Sequence, residues 1–405
     1  MRIEIDRNGC RSILIKSESF NKIVLITMFI IFTFYMQVQC QTSDLDFSGY
    51  IKGTQMIYCP STERNWWVDN TITNRLNLKW FPSESISFDL QARNRFIYGD
   101  FVKSIPDYRQ MVVNRFSKFN WYKVISEDSS YILLTELDRA NLKFSINKFE
   151  ITLGRQRINW GTAFVWNPND IYNTYNYFDF DYPERPGSDA VKIQYYFDAV
   201  SSLQLAAKYD DSFDRMALAG RASFSLLEYD LHISAGKMAD DLFMGFAWAG
   251  QIAGGGFRGE ASYFKPTTGD PTDPEALVAT IEGDYTLPNS LYLHLAGLYN
   301  SCGTTGNAGQ QSPMFIGREL SPKSLSPARF SVFTEIAYQL TSLTRIDLSS
   351  MLNPSDMSAF IMPSLDCSVG DNLNFTVMWI HFTGNSGSEF GDYGNLFLLR
   401  LQMWF

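Results

Sequence analysis

The chain has 405 residues with 34 Lys and Arg against 43 Asp and Glu, a formal charge of −9, and only 19% of its side chains are charged. That acidic balance excludes a general nucleic-acid binder, which needs a basic footprint. The aromatic content of 15% and the low charged fraction suit a membrane protein, although a soluble globule can reach both values.

The first predicted element is a leader. Residues 23–36 read IVLITMFIIFTFYM without a charge, after Arg2, Arg7, Arg11, Lys16 and Lys22. A spanning helix needs about 20 apolar residues, so this shorter run fits a secretory signal peptide. Cleavage is expected after Cys40. Removal of 1–40 takes away five basic and three acidic side chains and leaves 41–405 with a charge of −11. An uncleaved anchor helix is the alternative; a lipid-modified Cys40 is disfavoured by Gln39, which stands where a small residue is wanted. The mature chain keeps Cys59, Cys302 and Cys367. An odd number without CxxC spacing is neither a disulfide framework nor a zinc site. A bridge between Cys59 and Cys302, both in outer loops, stays open.

After Gln41 the recurring pattern is alternation over roughly ten residues followed by a turn signal. Arg75, Asn77 and Lys79 alternate with Leu76, Leu78 and Trp80; Ser87, Asp89, Gln91 and Arg93 alternate with Ile86, Phe88, Leu90 and Ala92. Arg139, Asn141, Lys143 and Ser145 do so with Ala140, Leu142, Phe144 and Ile146. Period two gives each set its own face of a strand. Such runs fall near 46–57, 72–81, 85–98, 130–146, 149–157, 189–197, 202–209, 215–225, 229–237, 242–250, 256–264, 277–286, 291–299, 329–339, 344–352, 358–368, 372–382 and 395–405. They predict an all-β protein, a transmembrane antiparallel up-and-down barrel of about 18 strands. Sixteen is the competing count, because the Gly- and Ala-rich stretch 210–256 marks its turns poorly. Tight turns at 82–85, 147–148, 198–201, 287–290 and 369–372 alternate with loops at 99–129, 158–188, 265–276, 300–328 and 383–394. Short turns at one end and long loops at the other place the short ones, and both termini, in the periplasm.

Residues 153–171 read LGRQRINWGTAFVWNPNDI, and the chain ends NLFLLRLQMWF with Phe397, Leu399, Leu401, Met403 and Phe405 on one face. This segment and ending resemble porin-like outer-membrane barrels of the alginate-export and phosphate-selective type. The ending resembles the closing-strand signal read by the barrel-assembly machinery. The resemblance implies one barrel of about eighteen strands and names no solute.

The loop at 158–188 carries Trp160, Phe164, Trp166, Tyr172, Tyr175, Tyr177, Phe178 and Phe180. So many aromatics suit a packed segment, expected to fold into the barrel or over its mouth, with Trp160, Trp166, Asp170 and Arg185 as gate candidates. The alternative is packing on the outer rim. Polar strand faces would line the lumen. One wall then carries Arg75, Lys79, Arg93, Arg95, Arg139 and Lys143, with Asp89 among them, joined by Gln156 and by Arg155 or Arg157 if Gly154 shifts the register. The opposite wall carries Glu260, Glu282, Asp284, Glu335, Asp347 and Asp366. Clustered Arg in a narrow pore favours anionic solutes. The same charges could instead interlock and fill a plugged barrel.

His232, His294 and His381 stand singly, and no nucleophile motif, phosphate loop or metal cluster surrounds them. No catalytic residue, metal or cofactor is expected. The expected partners are outer-membrane lipids, the barrel-assembly machinery and small hydrophilic solutes, with no nucleic acid; the oligomeric state is left open. A passive porin is the first reading, a plugged scaffold serving surface polysaccharide or secretion the second, and an outer-membrane hydrolase the third.

Overall fold

The computed structural model describes residues 4–5, 11–12, 44–61, 65–113, 119–174, 182–209, 216–269, 273–309 and 321–405. The expected leader lies outside them, apart from a pairing of Glu4–Ile5 with Arg11–Ser12.

The strands are β1 Leu45–Cys59, β2 Trp67–Ser83, β3 Ile86–Gly99, β4 Tyr122–Asp128, β5 Tyr131–Ile146, β6 Phe149–Gln156, β7 Ser188–Tyr196, β8 Ser202–Lys208, β9 Ala217–Leu226 and β10 Tyr229–Met238. They continue as β11 Asp241–Ile252, β12 Gly255–Pro266, β13 Ala276–Thr286, β14 Leu291–Asn300, β15 Phe330–Thr341, β16 Thr344–Asn353, β17 Ser358–Gly370, β18 Leu373–Thr383 and β19 Asn395–Trp404. All but β4 form one closed antiparallel ring, so the barrel has eighteen strands. The last strand meets the first, with Asn395 opposite Cys59 and Trp404 opposite Tyr50, and Gly49 and Phe405 exchange backbone hydrogen bonds. Closure joins the last strand to the first and leaves the ring no terminal edge, as a hydrocarbon solvent requires.

Burial is inverted relative to a soluble protein. Leu218, Ile233, Leu242, Met244 and Leu295 are exposed, with Met244 at 65%, whereas Lys52, Arg75, Glu136 and Asp138 are buried. The apolar half of each alternation therefore faces lipid, and the polar half faces inward. Connections between ring strands at one end, including 84–85, 147–148, 227–228 and 371–372, are short, whereas 157–187 and 301–329 lie at the other.

One feature departs from the sequence reading. The loop expected at 99–129 contains α1 Asp100–Ser104, α2 Tyr108–Val112 and the extra strand β4. β4 pairs with the upper part of β5, on the edge that β6 leaves free by pairing only with 140–146. Phe101 and Tyr108 pack on Ile97, Ile132 and Leu134. The bridge left open above is not formed: Cys59, Cys302 and Cys367 are all free thiols.

The poorly marked turns explain themselves. Leu227 and Glu228 both hold positive φ, 54° and 65°, in a two-residue hairpin where Asn and Gly are the favoured pair. A left-handed conformation costs an ordinary residue roughly 1–2 kcal/mol. Leu227→Asn with Glu228→Gly is expected to stabilise the barrel by about 1 kcal/mol. A chemical-unfolding midpoint that does not rise would contradict that assignment.

Candidate functional site

The inward positions of β2, β3 and β5 gather the predicted arginines around two carboxylates. Arg75, 1% exposed, donates to Asp138 at 2.6 Å and to Gln91 at 2.5 Å, and its other amino group lies 3.8 Å from Glu184. Arg93 and Arg95 share Glu136 at 3.1 and 3.4 Å, and Arg95 also donates to the Val112 carbonyl at the end of α2. Arg139 reaches Asp138 at 3.0 Å and the carbonyls of Glu184 and Arg185 at 2.8 Å. The Tyr182 hydroxyl donates to Asp138, and the Arg93 guanidinium stacks 3.6 Å from the Tyr182 ring. These four guanidinium groups thus face three carboxylates, Glu136, Asp138 and Glu184.

Lys79 and Lys143 are not part of this cluster. Lys79 is exposed near the short-turn end of β2, and Lys143 is 40% exposed and paired with Glu150 at 2.6 Å. Gly154 has φ +108, and the alternation breaks after it, with Arg155 and Gln156 both buried in succession. Arg155 then pairs with Asp189 at 3.6 Å.

Across the ring, β12 to β16 bring together Glu282, Asp284, Glu335 and Asp347. Arg258 bridges Glu282 and Asp284 at 3.3 and 2.9 Å; Arg345 bridges Glu335 and Asp347 at 2.9 and 3.5 Å. His294 stands between Glu282 and Glu335 at 3.4 and 3.7 Å. Four carboxylates thus face two guanidinium groups and one imidazole. Asp366 on β17 stands opposite Arg345 and accepts from Thr376 at 2.5 Å.

The segment between β6 and β7 contacts this acidic side. Glu260, fully buried, accepts from the backbone N–H groups of Thr162, Ala163 at 2.7 Å and Asn169 at 3.1 Å. Phe164 N–H donates to Glu282 at 2.8 Å, and the Phe164 ring lies 3.8 Å from the Arg258 guanidinium. Gly161 permits the close packing, because a Cβ there would overlap the Asn167 side chain. Trp160, 1% exposed, donates to Gln204 at 3.0 Å, and the Tyr172 hydroxyl donates to the Ala206 carbonyl at 2.7 Å. Trp166 and Asp170 are buried, and Arg185 is half-buried. Tyr175, Tyr177, Phe178 and Phe180 lie outside the described residues.

Sequence reasoning missed the counter-charges: Glu136, Asp138, Arg258, Arg345 and the bridging His294. Arg258 and Arg345 were legible in principle, since each sits two residues from a predicted acidic lumen position. Glu136 was not, for a reason of phase. Strict alternation from Arg139 puts it outward, but the ladder shifts register opposite Asp138, between the pairs Gln91–Arg139 and Ala92–Leu137. That extra residue turns Glu136 and Arg139 to one face.

No protein-family profile matches the chain, and no curated protein matches it. Among solved structures it is similar to OprD of Pseudomonas aeruginosa, with a TM-score of 0.58 and 12% identity over 90% of this chain and 95% of that one. OccAB1 of Acinetobacter baumannii gives 0.57 and 10% over 89% and 96%. The outer membrane protein OpdK of P. aeruginosa gives 0.55 and 9% over 90% and 99%. At these identities the likeness is one of fold, a closed β-barrel spanning nearly the whole of each chain.

Proposed function

We propose that this chain is an outer-membrane channel for passive diffusion of small hydrophilic solutes, with a preference for anionic groups along β2, β3 and β5. The observation that carries this reading is the arrangement of fixed charge, with four guanidinium groups gathered among their carboxylates on one inner wall and carboxylates in excess on the other. Opposed walls of this kind create a transverse field across a water-filled lumen. The fold it shares with an outer membrane protein supports the location. The short-turn end then faces the periplasm, with lipids around the wall and the barrel-assembly machinery as the route of insertion. The hydrogen bonds from 162–169 to Glu260 support a segment folded inward as the narrowing element, with Trp160, Trp166, Asp170 and Arg185 as its gate residues. The known barrels of similar fold give no support to an enzyme.

Ionic current across planar bilayers tests the proposal, and well-folded protein that carries none would sink it. That outcome would favour the second reading, a plugged scaffold, for which the near-complete burial of Arg75, Glu136, Asp138 and Glu282 speaks. Selectivity tests the wall. Arg93→Gln with Arg95→Gln leaves Glu136 uncompensated, so the reversal potential in a salt gradient is expected to move toward cations. An unchanged potential would remove the pair from the permeation path.

A further inference from the structure

Four amide side chains stand on the lipid-facing surface of three neighbouring strands: Gln55 on β1, Asn70 and Asn74 on β2, and Asn94 on β3. Their facing follows from the alternation, since Thr54, Thr73, Arg75, Arg93 and Arg95 beside them are buried inward. Each has apolar outward neighbours on its own strand; Asn94 sits between Ala92 and Phe96, and Asn74 between Leu76 and Ile72. By contrast, the outward positions of β11 are Leu242, Met244, Phe246 and Trp248.

The amides satisfy one another only in part. Gln55 donates to Asn70 at 3.1 Å, Asn94 donates to Asn74 at 3.1 Å, and Asn74 donates to the Tyr50 carbonyl at 3.5 Å. Gln55 Oε1, Asn94 Oδ1 and Asn70 Nδ2 have no partner among the described residues. An acyl chain offers them none, and polar groups at membrane depth ordinarily face protein.

We propose that the outward face from β19 through β3 to β5, centred on the amides of β1 to β3, is an interface between copies of this chain. A two-fold pair in a membrane turns about the bilayer normal and its interface is isologous, so the same patch faces itself at its own depth. Amides therefore meet amides, and each can donate and accept. An unrelated membrane partner carries no such guarantee. The surface is also uncharged, so two copies approach without repulsion. Gly53 leaves the space beside Gln55 open, because a Cβ there would meet nothing within 4 Å. Five strands, β19 to β3 with β5, at about 4.8 Å spacing and a band of about 25 Å, give about 600 Å² per copy. A pair buries about 1,200 Å², the lower bound of specific interfaces.

Two measurements test this. Native mass spectrometry in mild detergent should show an oligomer of this chain. Replacing Gln55, Asn70, Asn74 and Asn94 together by Leu should lower the oligomeric fraction by about tenfold or more. Heat-modifiable gel mobility reports that the variant barrel is still folded, and the wild-type measurement stands whether or not it is. In a background with Cys59, Cys302 and Cys367 changed to Ser, Gly53→Cys treated in native membranes with a flexible bismaleimide should yield a band of twice the monomer mass. Ile233→Cys on β10 should not. Monomeric wild-type protein, an oligomer unaffected by the leucines in a folded variant, or capture of a partner of different mass would overturn the proposal.

Discussion

Replacing Glu260 by Ala is expected to raise the single-channel conductance and its noise. One buried carboxylate accepts three backbone N–H groups, from Thr162, Ala163 and Asn169. Without it those donors are orphaned against the wall, at about 1–3 kcal/mol each, so the docked arrangement loses roughly 3–9 kcal/mol. Water entering the vacated space brings the loss toward the lower figure. Even about 3 kcal/mol is a shift of more than about a hundredfold between docked and undocked states. The ends of the segment are held independently. Trp160 bonds to Gln204, Tyr172 to Ala206, and Asn173 to Ser188 at 3.0 Å. The tip should therefore leave the wall while its base stays. Glu260→Gln keeps one acceptor oxygen but turns an amide donor toward the remaining N–H groups, so it should fall between wild type and Ala. Wild-type conductance in the Ala variant would mean that the path does not run past this segment.

The ring strands were legible because a lipid-facing strand repeats one physical requirement along its length: apolar out, polar in, for about ten residues. Residues 139–146 show it without interruption, and so does the closing strand. What was not legible depends on contacts distant in sequence. α1 and α2 are single turns held by Phe101 and Tyr108 on Ile97 and Leu134, and five residues have no periodicity to read. β4 ends in Ser126, Glu127 and Asp128 and is a strand because β6 leaves an edge of β5 open. The arginine wall could be read, but the state of its charges could not. Whether Arg75 is free or paired turns on Asp138, which lies where the register breaks. The segment at 158–188 announced itself by its aromatics, yet its hold on the wall comes from backbone N–H groups, which no side-chain pattern reveals.

Removing the carboxylate at that break should be among the most destabilising single changes in the barrel. Asp138, fully buried, accepts from Arg75 at 2.6 Å, from Arg139 at 3.0 Å and from the Tyr182 hydroxyl. Asp138→Ala leaves two buried guanidinium groups short of their counter-charge, a class of change that costs about 3–5 kcal/mol. Arg139 retains the carbonyls of Glu184 and Arg185, and Arg75 retains Gln91, which holds the loss nearer the lower end. The cost belongs to the uncompensated charge rather than to the pair. Arg75→Met combined with Asp138→Leu should therefore recover part of it, whereas a pair that stabilised the fold outright would make the double variant the worse of the two. Chemical-unfolding midpoints of the three proteins separate these cases. The same substitution raises the positive charge of the wall, so the reversal potential should move toward anions as stability falls. A variant less stable but unchanged in reversal potential would place Asp138 in the packed wall, away from the path of the ions.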